Sequence, residues 1–236
     1  MTNVPQFARP AESWTPDERE VLAWRRLWAA AATDPLIFLG YFAWTADQHD
    51  KIKPIKSFPI ERPYLQDLVR LWIDNPRLVV LKGRQLLLTW LFTSLALWDA
   101  MFHSGRLIML QSKREEDAIG DETSGDGLLG RAKFIMNHLP LRALLCPEYT
   151  PLGGRILFPK RGSTLWAIPQ GGAIIRQRTA SGILSDEAAF QEDFGEAYTA
   201  AQPCVRGGGW FVALSTADLS DGGAFRRLYE DRLDEG

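Results

Sequence analysis

The sequence predicts an α/β domain with a mainly parallel central sheet flanked by helices, preceded by a helical segment and carrying a β-hairpin insertion. Three observations carry this prediction. Residues 78–81 (LVVL), 107–110 (LIML), 183–185 (ILS) and 209–214 (GWFVAL) are short and dominantly apolar, as strands buried on both faces of a parallel sheet are. Longer stretches with apolar residues at helical spacing lie between these runs, so strands and helices alternate. Residues 155–158 and 163–168 flank Pro159-Lys160-Arg161-Gly162, a turn between two β-rich runs.

Taken in order, residues 1–12 read as a flexible arm. Thr15-Pro16-Asp17-Glu18 is a helix start, with Thr15 as hydroxyl cap, Pro16 at the first helical position and acids in the first turn; the helix is expected to reach Ala32. Asp34-Pro35 restarts an apolar segment over 36–44. Residues 45–60 carry Lys51, Lys53 and Lys56 and read as a loop. Over 62–73, Leu65, Leu68, Val69 and Trp72 share one helical face. Asn75-Pro76 breaks the chain before the first strand, and a helix follows the strand over 88–102. The second strand leads into polar residues and a loop or broken helix over 120–130, where glycine and acid dominate. A helix is expected over 131–145, stopping at Cys146-Pro147, then the hairpin. The strand at 183–185 ends at Asp186-Glu187, a helix covers 194–201, the last strand ends at Ser215-Thr216-Ala217, and a final helix covers 226–233. This divides the chain into an N-terminal helical arm or subdomain (1–60), a core (61–220) and the start of a linker (221–236).

Composition narrows the function classes. The 236 residues are 46% hydrophobic and 24% charged, with a net charge of −2, so charge alone does not announce a nucleic-acid binder with a static grip, while a weak, moving grip by a few local basic residues stays compatible. Cys146 and Cys204 are the only cysteines and form no CxxC, which argues against a zinc knuckle or a disulfide framework and for a reducing setting. No secretory signal is visible, and the most apolar run, 86–98, is too short to span a bilayer and reads as a buried helix. Nine Trp and twelve Phe point to heavy aromatic packing.

Two motifs carry chemistry. LVVLKGRQLLLTWL has the strand–turn–helix form of a phosphate-binding loop, in which backbone N–H groups at a helix N-terminus cradle phosphate. Against GxxxxGK(S/T) only the terminal hydroxyl, Thr89, is kept: Lys82 stands at the first Gly, Leu87 at the second and Leu88 at the Lys. The chemistry survives if Lys82 and Arg84 supply the cation from the front of the loop, Gly83 the permissive backbone position and Thr89 a magnesium ligand. The other reading is a strand end with two solvated cations before a core helix. In the second motif, Asp186-Glu187 after an apolar strand, Asp186 would hold Mg2+ through water and Glu187 would orient and deprotonate the attacking water. Alternatively, Asp186 caps the next helix.

KGRQLLLTWL resembles the deviant Walker A motif of phage large terminase subunits, although many members keep Gly where Leu87 stands. IRQRTASGILSDEAAFQ is similar to the terminase segment leading into Walker B, and WFVALSTA to the terminase coupling motif. The resemblance covers residues 55–220, with the motifs in the family's order. It implies a P-loop NTPase core of the ASCE type that uses ATP with Mg2+. Residues 82–89 (Lys82, Gly83, Arg84, Gln85, Leu86, Leu87, Leu88, Thr89) would then bind the phosphates, and Thr89 and Asp186 the Mg2+. Glu187 would be the catalytic acid and Arg176 the arginine finger given to a neighbouring subunit, with Arg178 as second choice. Ser215, Thr216 and Ala217 would couple γ-phosphate to movement, and Tyr64 and Gln66 would hold adenine.

The implied function is the ATPase motor that drives double-stranded DNA into a procapsid in the host cytoplasm. Its implied partners are a portal protein, a small terminase subunit and further copies of itself in a ring of five, with no membrane. The implied activity is weak ATP hydrolysis without DNA cleavage, because the family's nuclease domain lies beyond these motifs. Lys113, Arg114, Lys160 and Arg161 are the candidate DNA contacts. A helicase-like motor and a degenerate nucleotide-binding assembly module are the alternatives. The first needs a second motor lobe; the second is favoured by the missing Gly and Lys and opposed by Arg176 and the acid pair.

Overall fold

The computed structural model describes residues 16–47, 49–217 and 223–234. The elements are α1 (Glu18–Ala31), α2 (Pro35–Tyr41), β1 (Trp44–Ala46), β2 (Ile55–Ser57), α3 (Pro63–Asp74), β3 (Arg77–Leu81), α4 (Leu88–Phe102), β4 (Leu107–Gln111) and α5 (Glu115–Ile119). They continue with α6 (Leu128–Asn137), α7 (Arg142–Leu145), β5 (Thr150–Pro151), β6 (Arg155–Phe158), β7 (Ser163–Ile168), α8 (Ala173–Arg176) and β8 (Gly182–Ser185). A 3-10 turn (Ala188–Phe190), α9 (Phe194–Arg206), β9 (Trp210–Ser215) and α10 (Ala224–Asp234) complete the fold.

Local chemistry explains most element starts. Asp17, rather than Thr15, caps α1: its carboxylate accepts from Glu20 N–H at 2.8 Å while the Glu20 carboxylate accepts from Asp17 N–H at 2.9 Å, a reciprocal capping box. Thr15 and the arm at 1–12 lie outside the described residues. Asp34 caps α2 through Leu36 N–H at 2.8 Å, with Pro35 at the first helical position.

Three expectations change. Residues 45–60 are not simply a loop: β1 and β2 pair antiparallel with Trp44 opposite Ser57. The lysine that suggested solvent, Lys56, is held by Asp47 and Asp50 at 2.8 Å each. The helix expected over 131–145 starts earlier, at Leu128, and ends at Asn137. Pro140 disfavours helical backbone before it, and the chain resumes as the short α7. The hairpin gains a third strand, β5, paired antiparallel with β6.

The main sheet has seven strands in the order β3-β9-β8-β4-β7-β6-β5. The first five run parallel, and β6 and β5 add antiparallel at the β7 edge. Strand β9 therefore separates the strand that feeds the phosphate-loop candidate from β8, which feeds the acid pair. All six residues of β9 are buried; Trp210, Val212 and Leu214 join one core and Phe211 and Ala213 the other. The larger core lies under α1–α4 and α6, the smaller under α8, α9 and α10. Helix α4 is buried all round except at Thr89, as its apolar run predicts. The tryptophans and phenylalanines of α1, α2 and α4 interlock at its far end, for instance Trp28 with Phe42 and Phe102.

At the N-terminal ends of the strands, Asp99 of α4 is a buried four-way tie. It accepts from Arg106 Nε at 2.9 Å and Arg106 Nη2 at 2.8 Å, from Trp210 Nε1 at 2.8 Å, and lies 3.1 Å from His103 Nδ1. Gly182 lets the Trp210 indole approach: a Cβ there would lie 2.3 Å from the ring. Cys146 and Cys204 are free thiols; burial raises the pKa of both, that of Cys204 to about 11, so neither is a ready thiolate. Among the described residues, no helix is long and apolar enough to cross a membrane.

Candidate functional site

The C-terminal ends of β3, β4, β8 and β9 open into a cleft of about 1390 Å³, where ligands sit in open parallel sheets. Its floor is residues 82–89, and its sides are the segments after β4, β8 and β9, the β1–β2 hairpin, and the α5–α6 connection.

The loop does with leucine what the usual motif does with glycine. Leu87, at the N-cap of α4, has φ 58° and ψ 14°, and Gln85 has φ 63°. A left-handed backbone costs a residue with a Cβ about 1–2 kcal/mol. Gly83 does not supply the permissive position: its backbone is not left-handed, and a Cβ there would meet only the Leu86 side chain at 3.3 Å. Glu187 is a further non-glycine residue at positive φ, 51°, so three of the four such described residues line this cleft. Backbone strain gathered at one site marks a place where the fold imposes geometry for a purpose other than stability.

Lys82 is the hub. Its ammonium donates to Thr89 Oγ1 at 2.9 Å and to Asp186 Oδ1 at 2.7 Å, and lies 3.1 Å from Glu187 Oε1. Thr89 Oγ1 and Asp186 Oδ1 are themselves 3.4 Å apart. Two hard oxygens from two different elements thus converge on one cation, as a magnesium site needs. The donor set fits Mg2+, with Lys82 standing where the ion would compete for the same oxygens. Asp186 and Lys82 side chains are 10% and 8% exposed, whereas Glu187 at 40% remains open to solvent in the cleft.

A buried polar layer supports the acids from behind. Gln191 Nε2 donates to Ser185 Oγ at 3.0 Å and to the Asp186 carbonyl at 2.8 Å. Ser185 Oγ donates to Gln111 Oε1 at 3.2 Å, and Gln111 Nε2 to the carbonyls of Pro169 and Gly171 at 3.1 and 2.9 Å. Ser215 Oγ accepts from Ala189 N–H at 3.1 Å, tying the end of β9 to the turn that presents Glu187. Thr216 lines the cleft; Ala217 is exposed and is not in the lining.

Other sequence candidates fall elsewhere. Arg176, at the end of α8, is exposed, ion-paired with exposed Glu196 of α9 and absent from the cleft lining. Arg178 is exposed beside the Trp166 ring, 5.9 Å from its centroid. Tyr64 donates to the Leu86 carbonyl at 3.2 Å and so braces the loop; Gln66 Nε2 donates to the Ile60 carbonyl at 3.0 Å. Neither lines the cleft, whose wall at that side is Pro59, Arg62 and the β1–β2 hairpin. Lys113 lines the cleft, and exposed Arg114 follows it. The tip holding Lys160 and Arg161 packs by the α4–β4 turn, where Gly105 N–H donates to the Arg161 carbonyl at 2.9 Å, at the opposite end of the sheet.

Sequence reasoning missed Gln111, Gln191 and Arg131. A signal existed for two of them. Gln111 ends an apolar strand as Asp186 follows one, and Arg131 is a cation inside the apolar run LLGRAKFIM.

No protein-family profile matches the sequence, and no curated protein matches it. Solved structures do. The HK97 bacteriophage large terminase matches with a TM-score of 0.64 and 16% identity over 86% of this chain and 41% of that one. The Thermus phage P74-26 large terminase ATPase domain, in an arginine-to-alanine variant, matches with a TM-score of 0.51 and 17% identity over 69% of this chain and 67% of that one. The large terminase of a thermophilic bacteriophage matches with a TM-score of 0.50 and 15% identity over 73% of this chain and 43% of that one. The chain thus spans less than half the length of the HK97 large terminase. Its fold is that of phage large terminase ATPase domains, the α/β architecture with a mainly parallel sheet that the sequence predicts.

Proposed function

We propose that the chain is the ATPase motor domain of a viral DNA-packaging large terminase, coupling Mg·ATP hydrolysis to movement of double-stranded DNA into a procapsid. One observation carries the reading: a single ammonium, Lys82, joins the Thr89 hydroxyl and the Asp186 carboxylate at the mouth of a strained strand–loop–helix turn, with Glu187 beside it. That is the constellation phosphoryl transfer needs: a cation at the phosphates, oxygen ligands for the metal and an acid for the attacking water.

In this reading the N–H groups at the start of α4, with Lys82 and Arg84, hold the β- and γ-phosphates. Thr89 and Asp186 hold Mg2+, which when bound neutralises charge on the phosphate oxygens. Anionic phosphate draws Lys82 off the acids, which frees Glu187 to orient water and accept its proton. Ser215, fixed to Ala189 N–H, is placed to feel any shift of the Glu187 turn and pass it to β9. Arg176, outward-facing and absent from its own cleft, suits donation to the cleft of a neighbouring copy. A ring is therefore the active form, working on DNA with a portal protein and a small terminase subunit in the host cytoplasm. Lys113 and Arg114, at the cleft end of the sheet, are the DNA contacts best placed to move with the nucleotide.

The test is phosphate release measured against protein concentration. Turnover per chain is expected to rise with concentration and to fall about a thousandfold in Arg176→Ala. Turnover per chain that is flat with concentration, or unchanged in Arg176→Ala, contradicts the shared site. A degenerate binding module would bind ATP with no turnover at any concentration.

A further inference from the structure

The α5–α6 wall of the cleft, which adjoins Trp90 at the start of α4, is held by tight backbone contacts. The α5–α6 connection closes on itself: Asp121 and Asp126 exchange backbone hydrogen bonds at 3.1 and 3.0 Å. Gly120 and Gly127 then touch so closely that a Cβ on Gly127 would lie 2.4 Å from Gly120 Cα. From the α6 turn fixed in this way, Arg131 reaches into the cleft. Its Nη1 donates to the Gly127 carbonyl at 3.0 Å, and its guanidinium lies 5.4 Å from the centroid of the ring of Trp90, the neighbour of Thr89. Nε is buried with no hydrogen-bond partner.

No ion pair to Arg131 occurs among the described residues. Burial lowers its pKa, and the attraction of Asp186, Asp126 and Glu187 opposes that only in part. Asp186 and Glu187 are already held by Lys82. A largely buried guanidinium with an orphaned donor and no direct counter-charge is costly, and folds keep such groups where an anion is to be met.

We propose that Arg131 is a phosphate-reading residue supplied by the same chain: it meets the terminal phosphate of the bound nucleotide from the α5–α6 wall of the cleft that Lys82 and Arg84 also line. The α5–α6 connection then carries the nucleotide state away from the cleft along α6, separately from the route through Ser215. This inference rests on the reading of the cleft as a nucleotide site.

The test is equilibrium binding of Mg·ADP and of the non-hydrolysable triphosphate Mg·AMP-PNP to the wild-type chain, Arg131→Met and Arg131→Lys. Methionine keeps the apolar stem against Trp90 and removes the charge, so the nucleotide-free variant is expected to be at least as stable as wild type in thermal unfolding. Its AMP-PNP affinity should fall by about tenfold to a hundredfold, the worth of one charged hydrogen bond, while ADP affinity is retained. Arg131→Lys, which keeps the charge without the fork, should retain part of the preference for triphosphate. Equal loss of both nucleotides, loss of stability in Arg131→Met, or unchanged discrimination in both variants overturns the proposal. Wild-type chain that binds neither nucleotide overturns the reading of the cleft, and the proposal with it.

Discussion

Glu187→Gln is expected to reduce ATP turnover by a factor of about 10²–10⁴ while leaving Mg·ATP binding close to wild type. The side chain keeps its size and an oxygen that can orient water, but it cannot take the proton. The site explains why the effect should be confined to the chemical step. Glu187 sits at φ 51° on the turn leading into Ala188–Phe190, and that turn is fixed by Ser215 to Ala189 N–H and by Gln191 to the Asp186 carbonyl. In the proposed mechanism the phosphate contacts come instead from residues 82–89, which also line the cleft. Phosphate release and nucleotide titration on the same sample separate the two effects. Turnover near the wild-type rate would remove Glu187 from the mechanism.

The second large effect is on stability and lies far from the cleft. Asp99→Ala is expected to cost about 3 kcal/mol, read as a lowered denaturant midpoint. The substitution strands Trp210 Nε1 without its acceptor and takes both hydrogen bonds from Arg106. Arg106 keeps a quarter of its side chain in solvent, 26%, which places the cost at the lower end for breaking a buried pair. Asp99→Asn keeps an acceptor for Trp210 and should recover part of the loss. A midpoint equal to wild type in Asp99→Ala would show that the tie contributes little.

The sequence was most legible where one local rule decides the structure. The apolar run before Asp186 became the fully buried parallel strand β8, as its composition predicts, whereas the run before Lys82 became the parallel edge strand β3, which is only half-buried, with Leu81 42% exposed, because no described strand covers its outer side. Leu88–Phe102 became the central helix because an apolar run of that length is a helix buried on every side. Even the irregular loop was readable in part: Leu87, at the position where glycine is usual, takes a left-handed backbone. Gly83 was misjudged because the residue's freedom is not its use; Gln85 and Leu87 bear the turn instead. The β1–β2 pair was hidden because its three-residue strands carry no alternation, and its lysine is neutralised by acids six and nine positions back. Asp99 with Trp210, and Gln111 with Ser185, are contacts over 111 and 74 positions, beyond the reach of any periodicity. Arg131 was legible only as the first residue of an expected helix; its place in the lining of the same cleft as Lys82 depends on the fold.

Titration of Mg·ATP into the wild-type chain and into Lys82→Ala tests the central claim most directly, because every role assigned to the cleft depends on the cation that joins Thr89 and Asp186. The account predicts saturable binding of one nucleotide per chain, dependent on Mg2+, and a loss of about tenfold or more in affinity in Lys82→Ala. No saturable binding by the wild-type chain, or equal affinity in Lys82→Ala, would contradict it.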